Sequence, residues 1–151
     1  MTVKKASLIV GFISLIVLTL MQLKPRPTPK INTLEINGKS ITIEIATDSS
    51  QRTLGLSNRD SLAENSGLLF IFPDPGFHGI WMKNMRFPID IIWLKDGKVV
   101  DMALEVPLSE NQISLPTYYP KEPANYVLEI GSGKAREWGI EIGTKINLAG
   151  D

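Results

Sequence analysis

The sequence predicts a mainly β protein: a compact sandwich or barrel-like domain of about eight short strands with one or two short helices, preceded by an N-terminal transmembrane helix. Three observations predict this class. Two hairpin dipeptides, Asn37-Gly38 and Asp96-Gly97, each separate runs in which apolar and polar residues alternate. Glycine and proline recur through the body of the chain and close off any long helix there. Before them all, Ala6 to Leu23 forms an apolar stretch without a charge.

That stretch is 18 residues long, about 27 Å as a helix, which is just enough to span a bilayer. A cleaved signal peptide would have a shorter apolar region ending in a small-x-small site, and Leu20, Met21, Gln22 and Leu23 offer none. The basic residues balance across the stretch, with Lys4 and Lys5 before it and Lys24, Arg26 and Lys30 after it. The very short N-terminal tail favours a cytoplasmic amino terminus, hence a single-pass protein whose domain lies outside the cytoplasm. Prolines alternate with polar residues from Lys24 to Lys30, a pattern that extends the chain as a semi-rigid spacer. The organisation is therefore an anchor over 1–23, a Pro-rich linker over 24–32 and one domain over 33–151.

From Ile31 onward there are 11 basic and 16 acidic residues, a net charge of −5. A negative domain repels phosphate backbones, so the sequence gives no nucleic-acid partner. The chain has no cysteine, which excludes a disulfide scaffold, thiol catalysis and cysteine-based zinc sites.

Within the domain, Thr33 to Asn37 and Ser40 to Ala46 are expected as the first hairpin, and Ile89 to Leu94 with Lys98 to Val106 as the second. Further strands are expected at Gly67 to Phe72, Ile80 to Met85, Asn125 to Ile130 and Lys145 to Leu148. Asp48 followed by Gln51 makes a capping-box pattern that opens a short helix from Ser49 to Leu56. A second short helix is expected from Gly133 to Trp138, stopped by Gly139.

The run from Trp81 to Trp93, Trp-Met-Lys-Asn-Met-Arg-Phe-Pro-Ile-Asp-Ile-Ile-Trp, is distinctive. With Arg52-Thr53-Leu54-Gly55-Leu56 and Gly67-Leu68-Leu69-Phe70 before it, and Tyr126-Val127-Leu128-Glu129 after it, the chain resembles the bacterial and archaeal Domain of Unknown Function 192 family from about Ile36 to Leu148. The resemblance implies a compact, mainly β fold of sandwich type, often behind a signal or anchor segment, and no established activity. Ser57 and Met85 depart from the residues usual in that family, so no role is carried over to either.

Candidate ligand-binding residues are Arg52, Trp81, Lys83, Asn84, Asp90 and Tyr118. On an alternating strand Trp81, Lys83 and Met85 share one face, while Asn84 lies on the other. Asn84 either presents its amide to a ligand or satisfies loop backbone groups. Asp90 is in phase with Ile92 and Leu94, so on a core face it needs a cation, and Arg52 and Arg59 are the natural suppliers. A structural Arg–Asp pair and an anion-binding pocket both follow from that arrangement. Tyr118 and Tyr119, between Pro116 and Pro120, are placed in a loop and offer flat faces to a sugar ring.

Asp90, Glu105 and Glu129 are the acids that a glycoside-type hydrolase would draw on, if two of them flank a bond. His78 is the only histidine; it has no metal-ligand spacing around it, and no serine lies in a Gly-x-Ser-x-Gly elbow. The sequence names no cofactor and no metal. The best expectation is a membrane-anchored extracytoplasmic module for a small polar ligand or glycan, with a hydrolase and an envelope scaffold as the alternatives.

Overall fold

The computed structural model describes residues 30–110 and 113–148. The expected anchor and most of the linker lie outside these residues. Among the described residues, no helix is long and apolar enough to cross a membrane.

Among the described residues eight strands and two short helices follow one another as β1 (Lys30–Ile36), β2 (Lys39–Ala46), α1 (Ser49–Leu54), β3 (Ser66–Gly76), β4 (Ile80–Trp81), β5 (Ile89–Lys95), β6 (Lys98–Val106), β7 (Thr117–Tyr118), β8 (Ala124–Gly131) and α2 (Lys134–Glu137). Six strands form one sheet in the order β1-β2-β3-β8-β5-β6, while β4 and β7 pair by themselves. Both hairpins form as the dipeptides predict. Asn37 and Gly38 take φ of 49° and 79°, and Asp96 and Gly97 take 49° and 74°, the left-handed backbone that a two-residue turn between twisted strands requires.

β2 and β3 run parallel, from Thr42 opposite Ser66 to Ala46 opposite Phe70. A parallel pair needs a crossover, and α1 with the loop after it supplies one. The remaining ladders are antiparallel, with β8 between β3 and β5. These central strands are covered on both faces: all six residues from Ile89 to Leu94 are buried.

The sheet therefore carries two cores. One gathers Ile36, Ile43, Leu69, Ile92, Leu128 and Ile130 beneath Ala135, Trp138, Ile140 and Ile146. The other gathers Leu68, Phe70, Ile91, Trp93 and Val127 beneath Leu56, Ile80 and Met82.

The expected mainly β fold with its short strands and helices is present, and the expectation of a sandwich or barrel-like arrangement needs correction. The strands divide six and two, and the larger sheet is not closed, since β1 pairs only with β2 and β6 only with β5. The C-terminal segment lies across the gap instead of forming a strand at Lys145 to Leu148: it makes one bridge from Asn147 to Glu35 of β1 and one from Lys145 to Lys98 of β6. The expected strand from Ile80 to Met85 stops at Trp81. Asn84 turns to a φ of 53°, and the amide of Met85 closes a turn onto the carbonyl of Met82.

Candidate functional site

The C-terminal end of α1 is where most of the candidate side chains meet. Asp48 caps α1 by accepting from the Gln51 amide at 2.8 Å, and the Gln51 side chain accepts from the Asp48 amide at 3.3 Å. This reciprocal box satisfies two orphan donors of the first turn. The helix ends at Gly55, whose φ of 50° favours a glycine. A Cβ there would stand 3.5 Å from the Phe70 ring and 3.8 Å from Oε2 of Glu129, so the bare glycine backbone forms one wall of a cavity.

That cavity has a volume of about 50 Å³ and is lined by Arg52, Gly55, Phe70, Trp81, Met85 and Glu129 among others. It is roomy enough for a few waters or one small functional group. Glu129 reaches it from the middle of β8, where it faces Leu68 of β3 and Ile91 of β5. The residue is buried, at 4% exposure. Among the described residues Oε2 of Glu129 is one of two buried side-chain polar atoms without a hydrogen-bond partner, the other being Nε1 of Trp138. Burial pushes the Glu129 carboxyl up to about 8, against a smaller downward pull from Arg59. The acid is therefore mostly neutral at pH 7.

Arg59 cannot give Glu129 a salt bridge because it is committed to Glu44, with the two guanidinium nitrogens 2.5 and 2.7 Å from the two carboxylate oxygens. This two-pronged hydrogen bonding holds Glu44 below the usual carboxylate range and raises Arg59. Arg52 is committed elsewhere too: it donates to the carbonyls of Thr47 and Ile71 and lies 5.0 Å above the Phe72 ring.

Trp81 is 44% exposed and has Nζ of Lys83 5.2 Å from its ring centre. Beside the cavity runs a more open cleft of about 440 Å³, lined by Ser49, Ser50, Thr53, Ser57, Lys83 and Asn84. Thr53, Leu54 and Ser57 border both spaces. Ser57 donates to the Lys83 carbonyl and Asn58 to the Asn84 carbonyl, which fixes the turn after β4 against the end of α1.

Asp90 is not part of this site. It is fully buried and sits opposite Ile130, on the other face of the sheet from Glu129. The expected arginine partner is replaced by two backbone amides, those of Glu105 at 2.7 Å and Ala135 at 2.9 Å. Glu105 has a φ of 52° at the point where the β5–β6 register slips, so Asp90 clamps that bulge and the start of α2 to β5. Glu105 itself is exposed and pairs with Arg136 at 2.9 Å. Asp90, Glu105 and Glu129 thus assemble no pair of carboxyls across a common space.

Tyr118 also departs from expectation. It belongs to β7 opposite Ile80 and packs half-buried against the second core, while Tyr119 is the exposed member of the pair. His78 stacks on Phe72 with 3.6 Å between ring centres.

The family described as "DUF192: Uncharacterized ACR" matches residues 32–148. This chain belongs to the DUF192 family. A UPF0127 protein of Pyrococcus furiosus is 32% identical over 117 residues, covering 72% of this chain and 90% of that protein. Among solved structures, a protein of unknown function from Novosphingobium aromaticivorans shares the fold with a TM-score of 0.71 at 26% identity, over 82% of this chain and 89% of that one. A Sinorhizobium meliloti protein, whose description as a transcription regulator is provisional, gives a TM-score of 0.69 at 29% identity, over 81% and 96%.

In this DUF192 chain the two departures noted in the sequence, Ser57 and Met85, both line the cavity. In the sequence Glu129 stands only as an acid that a hydrolase could draw on, alongside Asp90 and Glu105, and not among the ligand-binding candidates. The available signal was its own strand: Val127 and Glu129 alternate with Leu128 and Ile130, so an acid on a strand buried on both faces was bound to lie in a core.

Proposed function

We propose that this chain is a membrane-tethered, extracytoplasmic binding module that takes a small polar ligand or a short glycan at the cavity and cleft beside α1. One observation carries the reading: a buried carboxyl without a partner opens onto a cavity beside a half-exposed tryptophan. An unsatisfied buried polar group costs roughly 1–3 kcal/mol, and a ligand polar group that reaches it recovers part of that cost. Trp81 offers a flat apolar face of the kind sugars stack on, and the hydroxyls of Ser49, Ser50, Thr53 and Ser57 line the adjoining cleft.

The tether rests on the apolar stretch from Ala6 to Leu23. The description of the Sinorhizobium relative is not carried over, because a domain of net charge −5 repels nucleic acid.

The test is a thermal-shift panel of sugars and amino acids on the full-length chain in detergent. At least one compound is expected to raise Tm, as a ligand at a hundred times its Kd stabilises by about 2.7 kcal/mol. Trp81→Ala is expected to abolish that rise while leaving the unliganded Tm within a few degrees. A panel in which nothing stabilises the wild-type chain would overturn the reading.

A further inference from the structure

The cavity beside α1 holds an acid with no cation of its own. Glu129 lies on the central strand β8 between Leu68 and Ile91, both neutral. The charged groups near it come from the other elements around the cavity, and each has other work. Arg59, from the loop after α1, is the cation whose charge reaches Glu129, and Glu44 of β2 already holds it. Arg52 of α1 lines the cavity but directs its guanidinium to two backbone carbonyls and to Phe72. Lys83 stands outside, over the ring of Trp81.

We infer that the group seated in this cavity is a primary ammonium, paired with the Glu129 carboxylate and flanked by the Phe70 and Trp81 side chains. The inference rests on the binding reading above and names the chemistry of its ligand. The charge and the lining of the cavity point to this group rather than to an anion or a metal ion.

An anion seated here would meet like charge in a low dielectric whenever the Glu129 carboxyl ionises. A divalent metal needs several oxygen ligands, and among the described residues no group of three His, Cys, Asp or Glu could hold one. An ammonium needs one carboxylate; Phe70 and Trp81 line the space, and the ring of Trp81 already receives the Lys83 ammonium. The cavity, about 50 Å³, suits a single compact group of this size.

Binding then carries a proton balance. The empty site holds Glu129 as the neutral acid; the incoming ammonium keeps all its protons, the carboxyl ionises, and one proton leaves to solvent. With the free carboxyl near 8, the affinity for an ammonium should rise close to tenfold per pH unit up to about pH 8 and flatten above it.

The experiment is titration calorimetry on the full-length chain in detergent, with ethanolamine against its uncharged counterpart ethylene glycol, at several pH values from 6 to 9 and in two buffers of different ionisation heat. Ethanolamine is expected to bind at least tenfold more tightly than ethylene glycol at pH 8, with a Kd that weakens by roughly fiftyfold on going to pH 6. The two buffers are expected to show release of about one proton per ligand at pH 6. Glu129→Gln, nearly the same shape, should keep a cooperative melt and lose the preference, the pH dependence and the proton release together.

Equal binding of the two compounds, or an ethanolamine affinity independent of pH, overturns the inference. If ethanolamine fails while a neutral sugar stabilises the chain, the ammonium is wrong and the binding module stands. If neither class binds, both fall.

Discussion

At the scale of single residues, two buried acids on neighbouring strands show how environment assigns opposite roles to the same chemistry. Asp90 receives two backbone amides and works as a structural clamp. Glu129, one step along the ladder and on the other face, has an oxygen that receives none. Its raised carboxyl has a consequence for stability. Between the unfolded value near 4.5 and the folded value near 8, the folded protein binds more protons than the unfolded one. Stability therefore falls as pH rises through that window, by up to about 1.4 kcal/mol per pH unit from this group. Replacing it with glutamine removes the contribution. Urea melts of Glu129→Gln should match wild type near pH 5 and show a more stable protein than wild type at pH 8; a variant less stable at pH 8 would mean that the ionised carboxylate is the form the fold prefers.

At the scale of elements, the pair β4–β7 sets the mouth of the site. Its two ladder pairs, Ile80 with Tyr118 and Trp81 with Thr117, hold Trp81 at the cavity edge. The close approach at Gly79 keeps this pair tight: a Cβ there would stand 2.5 Å from the Tyr119 ring and 2.6 Å from Cγ2 of Thr117. Gly79→Ala should push β4 from β7, costing about 1–3 kcal/mol in the manner of an overpacked core. The expected signature is a shifted Trp81 fluorescence, read in a chain carrying Trp93→Phe and Trp138→Phe, together with a loss of ligand-induced stabilisation. An unchanged spectrum would show that the mouth yields without moving the tryptophan.

At the scale of the whole molecule, an open six-stranded sheet must protect its two outer strands, because uncovered edges pair with other chains. The C-terminal segment does this for both, bridging to β1 and β6 while Ile146 enters the first core at 2% exposure. Ending the chain at Thr144 removes the bridges and that side chain together. We expect a loss of roughly 2–5 kcal/mol from the missing isoleucine and association visible in size-exclusion chromatography. A monomer of unchanged stability would show that the edges are protected by other means.

Much of this architecture is local and was legible in the residues. Asn37-Gly38 and Asp96-Gly97 determine their turns because only a few residue types accept left-handed backbone, and Asp48 with Gln51 determines the start of α1 through hydrogen bonds that span three residues. The run from Trp81 to Trp93, with the shorter segments at Arg52, Gly67 and Tyr126, marked the family. Alternation along β8 placed Glu129 on a strand, yet the identity of its neighbours depended on β3 and β5, which are far from it in sequence. The partner of Asp90 was equally out of reach, since a backbone amide carries no signature in the residue type that donates it. What the sequence determined alone were the turns, the caps and the apolar periods, each set by short-range sterics and hydrogen bonding. Only the tertiary structure decided which acid lost its partner and which residues surround it, because desolvation and pairing depend on every chain segment packed around the group.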